Sequence, residues 1–177
     1  MTNRILLAVS IFCFSHLIFA ENIQYQPRDY ATFIATGKCA NCDLSGTDLS
    51  EDMSKTISNT GNINFYNNAN LQGANITNTA FSVRGMNLQN SNFANALGSN
   101  SNFYYAQLDN SVFTNAILEY SNFAFANLSN VDFTGADLKG ARFDNAILVK
   151  AKITQQQLSN IASFCNAVLP DGTVNKC

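Results

Sequence analysis

The chain has 177 residues, one domain's length, and is 46% hydrophobic, enough to bury a core. Only 12% of its residues are charged, and a net charge of −2 argues against a basic nucleic-acid footprint and against a strongly acidic surface. The single histidine, His16, lies near the N-terminus, Trp is absent, and asparagine is the commonest residue. Without that N-terminal segment, Ser-His-Asp triads, Cys-His nucleophiles and imidazole metal sites are excluded.

Arg4 followed by the apolar run Ile5–Ala20 has the order of a secretory signal, with cleavage expected after Ala20. Sixteen residues interrupted by Ser10, Ser15 and His16 fall short of the roughly 20 that span a bilayer. Phe12 stands where a lipoprotein signal has a small residue, so Cys13 is not read as a lipid anchor. Export to the periplasm or the extracellular space, without stable membrane insertion after cleavage, is the expectation for residues 21–177.

Residues 21–41 are expected to form an N-terminal cap: Asp29 as helix N-cap, Tyr30, Phe33 and Ile34 at helical spacing, and Gly37 as the stop. Cys39 and Cys42 then form a CxxC. A thiol-oxidoreductase reading needs a thioredoxin-like setting, which the flanking residues do not supply. Zinc needs two further ligands. A structural bridge or two packed thiols is the expected role.

From residue 86 the chain falls into pentads centred on Leu88, Phe93, Gly98, Phe103, Leu108, Phe113 and onward to Ile153, fourteen units in phase. Two residues before each centre stands Ala or Ser in twelve of the fourteen. The rule also holds at Leu44, Leu49, Leu71, Ile76 and Phe81. Neither the 3.6-residue helical period nor the two-residue strand period fits. Two inward residues per five describe a short extended stretch and a turn, which must stack on copies of itself to bury its apolar face. Four such pentads make a square coil, and successive coils sit about 4.8 Å apart. Phe93/Phe113/Phe133 and Phe103/Phe123/Phe143 then form facing columns, Leu88/Leu108/Leu128/Leu148 a third, and Leu118/Leu138 a fourth side. Each buried ring or Leu contributes about 1.5–3 kcal/mol, leaving no pore or substrate cavity. Gly98 interrupts its column, so a small void or an inward Leu97 is expected there.

Ala126-Asn127-Leu128-Ser129-Asn130 and Ala136-Asp137-Leu138-Lys139-Gly140 resemble the A-[DN]-L-x-x consensus of the pentapeptide repeat family. The resemblance covers about residues 42–153 and implies a right-handed quadrilateral parallel β-helix, an all-β solenoid. Glu51–Asn68 departs from the pattern, and residues 51–68 are expected to be an irregular loop with Met53, Ile57, Ile63 or Phe65 tucked in. After the coil, residues 154–177 are expected to form a C-terminal helix and a tail. Thr154 and Gln157 make a capping box, with Leu158, Ile161, Ala162 and Cys165 on one helical face. Cys165 and Cys177 flank the turn Pro170-Asp171-Gly172, and a disulfide is expected to close it. Short helices at both ends describe a monomer, or a weak dimer through a coil face.

A packed interior leaves function to the outside. Outward Asn, Ser, Asp and Thr are expected to bond along the stack, and Glu119 stands one coil from Lys139. Tyr105 and Phe125 are separated by one full coil and stack outward, with Tyr104 adjacent and Tyr120 around the corner; these four are the candidate interaction patch. Leu97 and Ile117 are a second outward pair. The expected role is a non-enzymatic exported scaffold for an unidentified protein or surface, with no cofactor, metal or nucleic acid. A duplex-DNA mimic that occupies a topoisomerase, as in some cytoplasmic relatives of the repeat, needs an acidic face. Between residues 88 and 153 there are five acids against four bases. The other alternative is a thiol-redox protein using Cys39 and Cys42.

Overall fold

The computed structural model describes residues 27–60, 66–81 and 86–177. The expected signal segment, with Cys13 and His16, therefore lies outside the described residues, as do Ile63, Phe65 and the side chain of Ile57. The order is helix α1 (Pro27–Thr36), a first coil interrupted by helix α2 (Ser50–Thr60), further coils, and helix α3 (Gln155–Asn160) before the tail.

Every side of the coil carries a single parallel bridge to the coils above and below. One ladder runs Asn70–Asn92–Val112–Asp132–Lys152, another Asp48–Ala80–Asn102–Asn122–Arg142–Ser163. From Asn87 to Lys152 successive partners are four pentads apart, as in the ladder Asn87–Gln107–Asn127–Ile147. This is a β solenoid of four-sided turns. The residue after each bridge points inward, and its amide donates to the next coil, as from Phe93 to Val112 at 2.7 Å.

Each side ends in a turn closed by an i+3 to i bond, for example Ala96 N–H to the Phe93 carbonyl at 3.1 Å. The third turn residue has φ near +60°, as a type II turn requires. Asn fills it at 90, 95, 100, 110, 115, 130 and 145, being the non-glycine residue that tolerates this region best. A second set of Asn and Asp sits on the bridges and accepts from its own turn, as Asn122 Oδ1 does from Ala124 N–H at 3.0 Å. The outer amides were expected to bond along the stack; some do, as from Asn122 Nδ2 to Asn102 Oδ1 at 3.2 Å, but the in-turn bond is their more regular use.

The interior is a solid stack of rings. Phe81, Phe103, Phe123 and Phe143 follow one another at 4.9, 4.9 and 5.0 Å between centroids. Phe93, Phe113 and Phe133 do so at 4.5 and 5.4 Å. Facing columns meet edge to face, as Phe93 and Phe103 do at 5.6 Å and 87°, the geometry aromatic quadrupoles favour. All seven rings are 0% exposed. The inward serines are more than small: Ser101, Ser111 and Ser121 donate to the Ile76, Leu88 and Gly98 carbonyls at 2.6–2.9 Å. Among the described residues, every buried side-chain polar atom has a hydrogen-bond partner.

Gly98 leaves no void, and Leu97 does not turn in; it is 46% exposed. The glycine's place is closed by neighbours in its own column. A Cβ there would stand 3.0 Å from Leu118 Cδ2 and 3.3 Å from Ile76 Cδ1.

The irregular loop expected over 51–68 is replaced in its first part by helix α2, which begins where Met53 N–H donates to the Leu49 carbonyl at 2.9 Å. Asp52 lies in its first turn, where the positive end of the helix dipole favours an acid. Met53 is buried. The insertion shifts the register: Asp48 bridges Ala80, so Leu49 stacks on Phe81. Tyr66, which the sequence reading did not single out, resumes the coil. It stacks on Phe33 at 5.5 Å and donates to the Ile34 carbonyl at 3.0 Å. Burial pushes its phenol up from the usual value, and Asp52 adds to the rise against a Thr56 hydrogen bond.

Asp29 is not an N-cap. It lies inside the first turn of α1, which starts at Pro27, and accepts from Asp43 N–H at 2.9 Å. Gly37 ends α1 at φ +66°, donating to the Phe33 carbonyl at 2.7 Å. At the other end Thr154 and Gln157 form the expected capping box. Gln157 Nε2 also donates to the Phe133 and Ala136 carbonyls at 2.8 and 2.9 Å. Helix α3 stops at Asn160, so Ile161, Ala162 and Cys165 are not on it; the chain returns to the coil at Ser163, which bridges Arg142. The tail then folds back at Pro170-Asp171-Gly172, with Val168 bridging Val174 antiparallel.

Candidate functional site: an aromatic corner on the coil

The turn position with positive φ is Asn or Gly at most corners, yet Tyr105 (φ 61°), Tyr120 (φ 59°) and Phe125 (φ 60°) hold it too. For a bulky side chain that conformation costs about 1–3 kcal/mol and persists only where the surroundings enforce it. Three of the four expected patch residues come together. Tyr105 stacks on Phe125 at 4.8 Å and 21°. Tyr104 meets both edge-on, at 4.5 Å from Tyr105 and 5.6 Å from Phe125. Phe125 is 40% exposed and Tyr104 is partly exposed.

Tyr120 stands on the preceding corner of the same coil and is 56% exposed. Its ring lies over Gly140, where a Cβ would come within 2.5 Å of a ring carbon. Leu97 and Ile117 bridge each other and point outward on a different face from Phe125. Reading the turn column by itself would have shown the aromatics as departures from Asn and Gly.

The charges on the coil serve neighbouring turns. Lys152 Nζ meets Asp132 Oδ2 at 2.7 Å and, with hydrogen bonds from Thr134, holds that carboxyl at about 2. Burial alone would raise Asp144. The Ser163 hydroxyl at 2.6 Å, Cys165 N–H at 3.1 Å and the Arg142 guanidinium outweigh it and keep the carboxyl below its usual range. Among the described residues, no ion pair joins Glu119 to Lys139; both are solvated, and such a pair is worth only tenths of a kcal/mol.

Cys39 and Cys42 have Cα atoms 5.5 Å apart, as do Cys165 and Cys177, within the range a disulfide spans. The first pair follows the C-terminal end of α1, the negative end of its dipole, which disfavours a thiolate. An open cleft of about 420 Å³ beside α3 is lined by Asp137, Thr154, Gln156, Gln157 and Asn160, a set with no nucleophile paired to a base. Among the described residues, no cluster of His, Cys, Asp and Glu could hold a metal, and no helix is long and apolar enough to cross a membrane.

Residues 86–162 match the profile described as "Pentapeptide repeat region". No curated protein matches the chain. Among solved structures, HetL from the cyanobacterium Nostoc, a pentapeptide repeat protein involved in heterocyst differentiation regulation, is similar at 23% identity with a TM-score of 0.51. The likeness covers 78% of this chain and 51% of HetL, so the chain spans about half the length of that relative. Rfr23 from the cyanobacterium Cyanothece is 20% identical, with 80% of this chain and 97% of that one covered and a TM-score of 0.40. A pentapeptide repeat protein of the Arabidopsis thaliana thylakoid lumen is 20% identical, at 86% and 91% coverage and a TM-score of 0.32. With the five-residue period, the stacked four-sided turns and the matched profile in agreement, residues 86–162 are a pentapeptide repeat region.

Proposed function

We propose that this chain is a non-enzymatic scaffold, exported from the cytoplasm, that engages a protein or surface partner through an outer corner of its coil. The observation that carries the reading is the Tyr105–Phe125 stack: two aromatic residues held one above the other at a turn position that is Asn or Gly at most corners. Backbone preference opposes them, so a role outside the fold supports their presence. A filled interior leaves the outer surface as the place for binding. In the same reading the coil winds right-handed, α1 with α2 and α3 with the tail act as lids, and Cys165–Cys177 is a disulfide. Closed ends favour a monomer.

The test is the double substitution Tyr105→Asn/Phe125→Asn, which installs the residue native to neighbouring corners. In-cell cross-linking of tagged wild-type chain defines the partner, and the double variant should stay folded and lose it. Retention of that partner by a folded variant would refute the patch. The duplex-mimic alternative has little support, because the outer columns are largely amides with five acids against four bases over residues 88–153. The thiol-enzyme alternative predicts insulin reduction abolished by Cys39→Ser.

A further inference from the structure

We propose that the tail from Thr173 to Cys177 is a strap across the edge of the final coil turn, locked by the Cys165–Cys177 disulfide, and that thiol reduction releases it while the coils stay wound. The inference rests on that disulfide, as read above. In the preceding coil Asn145 and Leu148 N–H donate to the Cys165 and Val168 carbonyls at 2.7 and 2.8 Å, and the Ala146 carbonyl accepts from Val168 N–H at 2.9 Å. Asn166, Ala167 and Leu169 hold the same three places one coil on, and among the described residues no further coil follows them. The tail supplies the missing partners. Asn166 and Leu169 N–H donate to the Asn175 and Thr173 carbonyls, both at 2.7 Å, and the Ala167 carbonyl accepts from Asn175 N–H at 2.9 Å. Because Val174 bridges Val168 antiparallel, the tail takes the place of a next rung without continuing the coil.

The two ends of the bridge are held differently. Cys165 is fixed in the coil whatever the sulfurs do: its N–H donates to Asp144 Oδ1 at 3.1 Å and its carbonyl accepts from Asn145 N–H. On the strap side, residues 171–174, 176 and 177 are exposed, Val174 at 51%. Little apolar burial therefore anchors the strap, and two short strands joined by backbone bonds alone are marginal in water. The bridge ties Cys177 directly to Cys165, twelve residues away in sequence, with the Cα atoms 5.5 Å apart. Closing a loop of that length favours the seated strap by about a hundredfold.

Cys177 is exposed, so a thiolate reaches it without any opening of the coil. A dithiol reductant gives the bridge two electrons and two protons and leaves as its own disulfide, while Cys165 and Cys177 become thiols. Lifting of the strap then uncovers Asn166 N–H, Ala167 C=O and Leu169 N–H, an unpaired strand edge of the kind through which each earlier coil meets the next.

The test is amide hydrogen exchange followed by NMR on the full chain carrying Cys39→Ser/Cys42→Ser, which leaves Cys165–Cys177 as the bridge to be reduced, with and without dithiothreitol. The amides of Asn166, Leu169 and Asn175 should exchange about a hundredfold faster after reduction, while those of Phe123 and Leu128 should not change. Cys165→Ser/Cys177→Ser in the same background should match the reduced protein without reductant. Unchanged exchange at Asn166 and Leu169, in protein that alkylation shows to be fully reduced, would overturn the strap. Free thiols at both positions in protein purified without reductant would overturn the disulfide on which it rests, and the alkylation tells the two failures apart.

Discussion

Gly98→Leu separates what the repeat rule asks for from what the packed coil allows. Leucine is the residue at the corresponding site of the two following coils, Leu118 and Leu138, so the rule alone expects stabilisation. The geometry expects the opposite. A bare Cβ already stands 3.0 Å from Leu118 Cδ2 and 3.3 Å from Ile76 Cδ1 and Cγ1, and leucine adds three more carbons in the same direction. Overpacking of this kind costs about 1–3 kcal/mol. Replacing glycine narrows the unfolded ensemble and returns about 0.4–1 kcal/mol. The expected net loss is about 1–2 kcal/mol, read as a lower urea midpoint and as a Tm lower by about 2–8 °C. Gly98→Ala, with these three contacts to relieve but no further carbons to place, should fall near zero. A Gly98→Leu variant with a raised midpoint would mean that Ile76 and Leu118 do not close over this site.

Two further outcomes follow from the outer surface. Tyr120→Asn should raise stability by about 0.5–1 kcal/mol in urea titrations, because it relieves positive-φ strain at a residue 56% exposed; a loss above about 1 kcal/mol would show that the ring on Gly140 matters more than the backbone. Acid should destabilise the fold through Asp132 and Asp144, whose carboxyls are lowered in the folded chain. Their contribution is complete above the unfolded value near 4 and is lost as pH falls through the lowered folded values, about 2 for Asp132. Lys152 is mostly solvated, so the Asp132 part is under about 1 kcal/mol and shrinks with salt. Asp132→Asn should flatten the acid limb of the stability–pH curve, and an unchanged limb would contradict the assignment.

The Phe and Leu columns were legible because a strict period repeats over fourteen units, and any register error would send a ring into solvent. The capping box at Thr154 was legible for a similar reason, since its chemistry is local. Helix α2 was not read, because its sequence SEDMSKTISNT carries only Met53 and Ile57 as large apolar residues, too few to show a period. Its effect on register followed: no local signal says that Leu49 belongs over Phe81 rather than over Leu71. Tyr66 escaped notice because it falls in the stretch 51–68, where the five-residue pattern is absent from the sequence. The candidate patch was visible as stacked aromatics, but its cost was not, since that lies in backbone angles that a search for apolar residues ignores.

A solid core of stacked rings puts phenylalanine protons from successive coils side by side, and proton–proton nuclear Overhauser spectroscopy on phenylalanine-labelled chain reads that proximity. Centroids 4.9 and 5.0 Å apart place the ring protons of Phe103 and Phe123, and of Phe123 and Phe143, within reach of strong cross-peaks between residues one full coil apart. Their appearance, together with Phe93–Phe103 peaks across the interior, is the predicted result. Rings that show only sequence-local contacts would contradict the account.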